Sequence, residues 1–160
     1  MSETKPLVIS FKWDKQTLLD SFDAIYQDEY KNSPRRLMGW LLIGLSQYGV
    51  VAALKKNAFA ILIFSTIMLV YWYYGKKLIA KKRALKSFEK DPLKDQVIKI
   101  DVNKDGFEVD GSFWKWDDIV TVEELEKGFL VIAPTKHYFI PATGFKSYED
   151  KSSFKSFYKL

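Results

Sequence analysis

The sequence predicts an α+β membrane protein: a two-helix transmembrane hairpin joined to a small antiparallel β-sheet with a C-terminal helix. Three observations predict it. Residues 37–54 and 58–74 are apolar stretches separated only by Lys55-Lys56-Asn57. Each is close to the roughly 17–25 residues with which a helix crosses a hydrocarbon core about 30 Å thick. Neither stretch contains Asp, Glu, Lys or Arg. Residues 92–160 instead run in short apolar segments divided by Gly, Asn, Asp and Pro, the pattern of strands and turns.

The elements follow in order. Residues 7–13 are β-branched and aromatic and read as a strand. Asp14 is placed to cap a helix over 15–30, whose Leu18, Phe22, Ile25 and Tyr26 recur at spacings of three and four. Ser33-Pro34 stops it. The two spans come next; both are apolar all round, unlike the one-sided stripe of a helix in a soluble core. Gly75 is a single interruption, after which residues 76–90 keep helical composition and could align Leu78, Leu85 and Phe88. Asp91-Pro92 ends the helix, because the residue before proline disfavours helical backbone.

Six candidate strands follow at 96–102, 107–110, 112–116, 119–125, 129–133 and 137–141. Asn103-Lys104-Asp105-Gly106 is read as a turn because Asn and Gly tolerate positive φ, and Glu126-Lys127-Gly128 as a hairpin turn. Ser147 through Asp150 resembles a capping box with Asp in place of Glu, and the helix it opens would turn Phe154, Phe157 and Tyr158 inward. A sheet this small has edges that need covering. The strand at 7–13 is available, so one soluble module is expected from both flanks. The expected organisation is 1–33 packing with the C-terminal module, a hairpin at 34–75, a basic neck at 76–91 and a β-rich domain at 92–160.

The net charge of +5 is unevenly placed. Residues 76–90 carry seven Lys or Arg and one acid, whereas 91–160 carry ten basic and thirteen acidic side chains. A mildly acidic module argues against a nucleic-acid partner. Lys31, Arg35 and Arg36 precede the first span and the basic neck follows the second; only Lys55 and Lys56 lie at the other end. The positive-inside rule then puts both termini in the cytoplasm, with Trp40 and Tyr71-Trp72-Tyr73-Tyr74 in one aromatic belt. The first 36 residues are too polar for a cleaved signal peptide, and no cysteine is present for disulfide or thiolate chemistry.

Three groups of residues are candidate sites. Lys76, Lys77, Lys81, Lys82, Arg83 and Lys86 are positioned to meet anionic lipid headgroups, at about 1 kcal/mol of attraction each. Ser46, Gln47, Ser65 and Thr66 lie at matching depth about the turn and are candidates for hydrogen bonds across the hairpin, with Gly49 and Ala53 letting the helices approach. Phe113, Trp114 and Trp116 form an aromatic cluster whose exposed members are the first candidate for a partner surface. Alternation puts Trp114 and Trp116 on one strand face, where core packing competes with that role.

Trp114-Lys115-Trp116-Asp117-Asp118-Ile119, Tyr138-Phe139-Ile140-Pro141 and Phe145-Lys146-Ser147-Tyr148-Glu149-Asp150 resemble the YcxB-like family, which also places a two-span hairpin before a β-rich module. The resemblance implies a bacterial inner-membrane protein with a pleckstrin-homology-like fold, a strongly bent antiparallel sheet closed by a C-terminal helix. It carries over no reaction and no catalytic residues.

Other motifs lack what their chemistry needs. Asp101-Val102-Asn103-Lys104-Asp105-Gly106 matches the start of a calcium loop, but position twelve would be Ser112 where a bidentate Glu is required. His137 is the only histidine and no metal-ligand pattern accompanies it. Asp117-Asp118 and Glu123-Glu124 are neighbours whose side chains diverge on a strand. No phosphate-binding glycine loop or nucleophile elbow occurs. The expectation is therefore a non-enzymatic interaction protein with no cofactor or metal. Its partners would be the lipid bilayer and a protein, and an oligomer is open to it. The alternative is an accessory or immunity protein acting through its hairpin on another membrane protein; some membrane proteins of this size are toxin immunity proteins.

Overall fold

The computed structural model describes residues 6–158; the outermost ends of the expected N- and C-terminal regions, 1–5 and 159–160, lie outside the described residues. The described chain is an α+β fold with four helices and seven strands in two antiparallel sheets. It divides into two compact units, one formed by the chain up to Ile25 together with Phe88 onward, the other by Tyr26–Ser87.

In the first unit, β1 (Leu7–Lys12), β2 (Val97–Val102), β3 (Gly106–Val109) and β4 (Ser112–Lys115) form one sheet in chain order. β1 pairs antiparallel with β2 from Leu7↔Val102 to Lys12↔Val97. The N-terminal flank thus supplies an edge strand to the C-terminal sheet. β5 (Thr121–Leu125), β6 (Gly128–Ile132) and β7 (His137–Pro141) form a second sheet. The single small sheet expected from sequence is two sheets, because the chain makes a 3-10 turn at Trp116–Asp118 instead of continuing as a strand.

Both sheets and α4 (Tyr148–Tyr158) bury one shared core. Ile9, Ile100, Phe107, Val131, Ile140 and Phe154 have essentially no exposed surface. Each such side chain stabilises by about 1.5–3 kcal/mol relative to exposure. The second sheet is buried on both faces: Phe129 and Val131 point into the shared core, while Leu130 and Phe139 pack under Ala24 and Ile25 of α1 (Lys15–Lys31). Burial on both sides explains why β6 reads Phe-Leu-Val-Ile without alternation.

Local signals set the ends. Asp14 Oδ1 accepts the Thr17 N–H at 2.8 Å and caps α1. Ser147 Oγ accepts the Asp150 N–H at 3.2 Å while Asp150 Oδ2 accepts the Ser147 N–H at 3.2 Å, a reciprocal capping box. At the β2–β3 turn the mechanism differs from the expected one. Neither Asn103 nor Gly106 has positive φ. Asn103 Oδ1 accepts the N–H groups of Asp105 and Gly106 at 2.9 and 3.0 Å. Gly106 is required by contact, since a Cβ there would lie 2.0 Å from the Trp114 carbonyl oxygen. The positive φ values belong to the β3–β4 turn, Asp110 at 49° and Gly111 at 72°, as a two-residue hairpin demands.

In the second unit, α2 (Arg35–Lys56) ends at Asn57, whose N–H reaches the Ala52 carbonyl and whose left-handed backbone (φ 51°) brings the Ala58 N–H onto the same oxygen at 3.4 Å. α3 runs from Phe59 to Phe88, so the expected second span and basic neck are one helix. It widens into a π-helical turn at Tyr71–Gly75, where a Cβ on Gly75 would meet the Tyr71 ring at 2.8 Å. Leu78, Leu85 and Phe88 do not form one buried stripe: Leu78 is exposed, Leu85 half-buried, and Phe88 buried in the first unit.

Candidate functional site

α2 and α3 are each long and apolar enough to cross a membrane. They pack through small residues. Gly49, Ala52 and Ala53 are buried, and a Cβ on Gly49 would lie 3.0 Å from the Leu62 Cα and 3.1 Å from Ser65 Oγ. Absence of a side chain at 49 is what lets the backbones approach.

Three of the four polar candidates of the hairpin, the hydroxyls, donate within their own helices and not across it as expected. Ser46 Oγ donates to the Leu42 carbonyl at 3.0 Å, Ser65 Oγ to Leu62 at 3.1 Å and Thr66 Oγ1 to Leu62 at 2.7 Å. Each hydroxyl has one proton, and a carbonyl three or four residues back in its own helix is always within reach. Ser65 still contributes by fitting against Gly49 with no exposed surface. Gln47 and Thr66 are exposed on the outside of the hairpin.

The basic candidates divide. Lys76 Nζ lies 4.4 Å from the centre of the Trp72 ring and Lys77 Nζ lies 5.9 Å from that of Tyr26. Such contacts fix a cation beside an aromatic face at about 0.5–1 kcal/mol when exposed. Lys82, Arg83 and Lys86 are exposed and Lys81 is half-buried. The Trp72 Nε1–H is buried with no hydrogen-bond partner among the described residues. The adjoining cleft, lined by Tyr30, Arg35, Trp72 and Lys76, encloses only about 10 Å³, room for roughly one water.

In the first unit the aromatic candidates also separate. Trp114 is buried, stacked on Phe107 at 5.5 Å and covered by the Lys136 ammonium 3.9 Å from its ring centre. Trp116 sits in the 3-10 turn, donates Nε1–H to the Asn103 carbonyl at 2.9 Å and packs on Phe154 and Tyr158. Both are structural. Of the three only Phe113 stands out into solvent, 45% exposed. Glu124 pairs with Lys155 at 2.6 Å, a contact that raises the lysine pKa. The Asn103 amide oxygen of the calcium-like motif is engaged by its own turn. Among the described residues, no three His, Asp or Glu side chains gather to hold a metal.

A cavity that sequence reasoning did not anticipate completes the unit. It is a half-open cleft with room for about 260 Å³, lined by Trp13, Ser21, Asp91, Asp110, His137 and Tyr138, among others. α1, the 91–96 turn, β2, β7 and the β3–β4 turn each supply part of the wall. Asp91 is held by both oxygens: Oδ2 accepts Trp13 Nε1–H at 3.1 Å and Oδ1 accepts the Leu93 N–H at 2.9 Å. Burial, and secondarily the negative charge of Asp110, push the Tyr138 hydroxyl pKa far up, so it stays a neutral donor. Asp91-Pro92 and Asp110-Gly111 read in sequence only as breakers; nothing in their spacing says that they meet one wall.

No family model, curated protein or solved structure matches this chain.

Proposed function

We propose that this chain is a non-enzymatic, membrane-anchored interaction protein. Its hairpin would cross a bacterial inner membrane with both termini in the cytoplasm. The unit built from both flanks would engage a protein partner, and Lys76, Lys77, Lys81, Lys82, Arg83 and Lys86 would meet anionic headgroups. The observation that carries the reading is the exposure of α2 and α3. Only 28% and 6% of their most apolar windows are buried, whereas the core helix of a soluble protein is mostly buried and leaves no such apolar surface in water. Sheets of four and three strands with a C-terminal helix in one core support the pleckstrin-homology-like fold that the YcxB-like resemblance implies.

The test uses the natural absence of cysteine. Single cysteines at Lys31, Lys56 and Ser152 are labelled in intact cells with an impermeant maleimide. Lys56→Cys alone is expected to react from outside; Lys31→Cys and Ser152→Cys should react only after permeabilisation. External labelling at Ser152, or recovery of the chain in the soluble fraction, would overturn the reading. A mild-detergent pull-down of the intact protein then identifies what co-purifies.

A second reading, an accessory or immunity protein acting through the hairpin, is favoured by Gln47, a primary amide exposed in the middle of α2. An amide facing hydrocarbon is costly, and a polar group on a neighbouring helix would satisfy it. Replacing the hairpin with an unrelated one should preserve partner recovery on the first reading and abolish it on the second.

A further inference from the structure

The 260 Å³ cavity of the first unit has a chemistry of its own. Its charged walls are the carboxylates of Asp91 and Asp110; none of its lining residues is Lys or Arg among the described residues. The rest is mainly aromatic and aliphatic, with Trp13, Tyr138 and Phe139 prominent and His137 beside them. We propose that this cavity binds a small organic cation, an ammonium or guanidinium compound, with its charge toward Asp91 and Asp110 and its carbon skeleton beside Trp13 and Tyr138.

Three physical features support it. Carboxylates with aromatic rings are the pairing that recognises organic cations, since both the charge and the ring face attract them. The walls are preorganised: Trp13 is fixed by its bond to Asp91 and by edge contact with Phe88 at 6.2 Å, and Tyr138 by contacts with Phe107 and Trp114 at 6.2 and 5.9 Å. Little side-chain entropy is then lost on binding. The cleft, at about 260 Å³, has room for a small molecule, just below the range of about 300 to 1,000 Å³ of typical ligand pockets. A metal ion is disfavoured by the two-carboxylate wall, one of whose members already accepts two hydrogen bonds, and by the apolar remainder.

The proposal goes beyond the anchoring reading and does not depend on it. Its test reads the cavity whether or not the hairpin lies in a bilayer. His137 is the only histidine and lines the cavity, so ring-labelled histidine gives one signal from the site. The full-length protein in detergent micelles is titrated with n-butylguanidinium, with neutral pentanamide and with pentanoate. Butylguanidinium should give a saturable His137 shift, and pentanamide and pentanoate should give none. Asp110→Asn should weaken binding by roughly fivefold or more, as expected for loss of one partly exposed charge partner. Asn accepts the left-handed backbone at 110 (φ 49°), and an unchanged thermal unfolding transition of the ligand-free variant verifies its fold. Absence of a saturable shift, equal binding of pentanamide, or unchanged affinity in Asp110→Asn would overturn the proposal. Much tighter binding of an arginine-bearing tripeptide than of butylguanidinium would also overturn it, in favour of a protein side chain.

Discussion

The Trp13 indole donates its N–H to Asp91 Oδ2 at 3.1 Å, across 78 residues of chain. One partner directly follows the N-terminal strand and the other opens the turn after α3. Backbone bonds flank the contact, from Trp13 N–H to the Gln96 carbonyl and from Asp95 N–H to the Trp13 carbonyl, both at 2.8 Å. The two flanks of the hairpin are thus clasped by side chain and backbone together. Trp13→Phe keeps the ring and removes the donor. It should lower the stability of the first unit by about 1 kcal/mol, measured by thermal unfolding in detergent. No loss would mean that the backbone bonds suffice.

Phe154 is fully buried and touches Trp116, Phe129, Phe145 and Tyr158, with ring centres 5.0 to 5.9 Å away. Phe154→Ala should cost about 3–5 kcal/mol, a large part of the roughly 5–15 kcal/mol available to a small domain. Loss of the cooperative transition of the first unit is the expected outcome. Phe113→Ser, at an exposed position, should move the same transition by about 0.5 kcal/mol or less.

Two glycines of α2 make opposite predictions. A Cβ at Gly44 meets nothing within 4 Å, whereas at Gly49 it meets Leu62 and Ser65 at 3.0 and 3.1 Å. Gly44→Ala should stabilise the hairpin by about 0.5–1 kcal/mol through helix propensity. Gly49→Val should separate the helices and destabilise it. Far-UV circular dichroism melts in micelles distinguish the two, and equal effects would mean that close approach at 49 is unimportant.

Acid should weaken the start of α1. The Thr17 N–H holds the Asp14 carboxyl below its ordinary 3.8. A depressed folded-state pKa adds stability that is present above the unfolded value and is lost as pH falls through the folded one. Between pH 5 and 7 the cap is intact; below about pH 3.9 it fades. Asp14→Asn keeps an N-cap acceptor without the charge, so its stability should fall less than wild type between pH 5 and 2. Parallel curves for the two proteins would sink this assignment.

The helices and their ends were legible from residue type because caps, prolines and apolar runs act over three or four positions. Asp14, the Ser147–Asp150 box and the two apolar stretches needed no tertiary information. That the strand at 7–13 joins the C-terminal sheet was legible too, as the one strand available for an open edge; that its partner is 97–102 was not. The roles of Trp114 and Trp116 were less so: alternation put both on one strand face, but the chain turns at Trp116, and only packing buries Trp114 against Phe107 and half-buries Trp116 against Phe154. Hairpin hydroxyls at equal depth suggested cross-helix bonds, yet a nearer carbonyl within each helix competes successfully for the single proton.

By itself, then, the order of residues determined the elements, the apolar hairpin and the placement of charge, all consequences of local backbone chemistry and composition. Only the tertiary structure decided that the sheet is two sheets, that α1 covers the second of them, and that Asp91, Asp110 and His137 share a cavity. Those residues stand in a turn before one sheet, a turn within it and a strand of the other. Their meeting depends on how two sheets and a helix close around a common core, a long-range packing outcome that no spacing along the chain encodes.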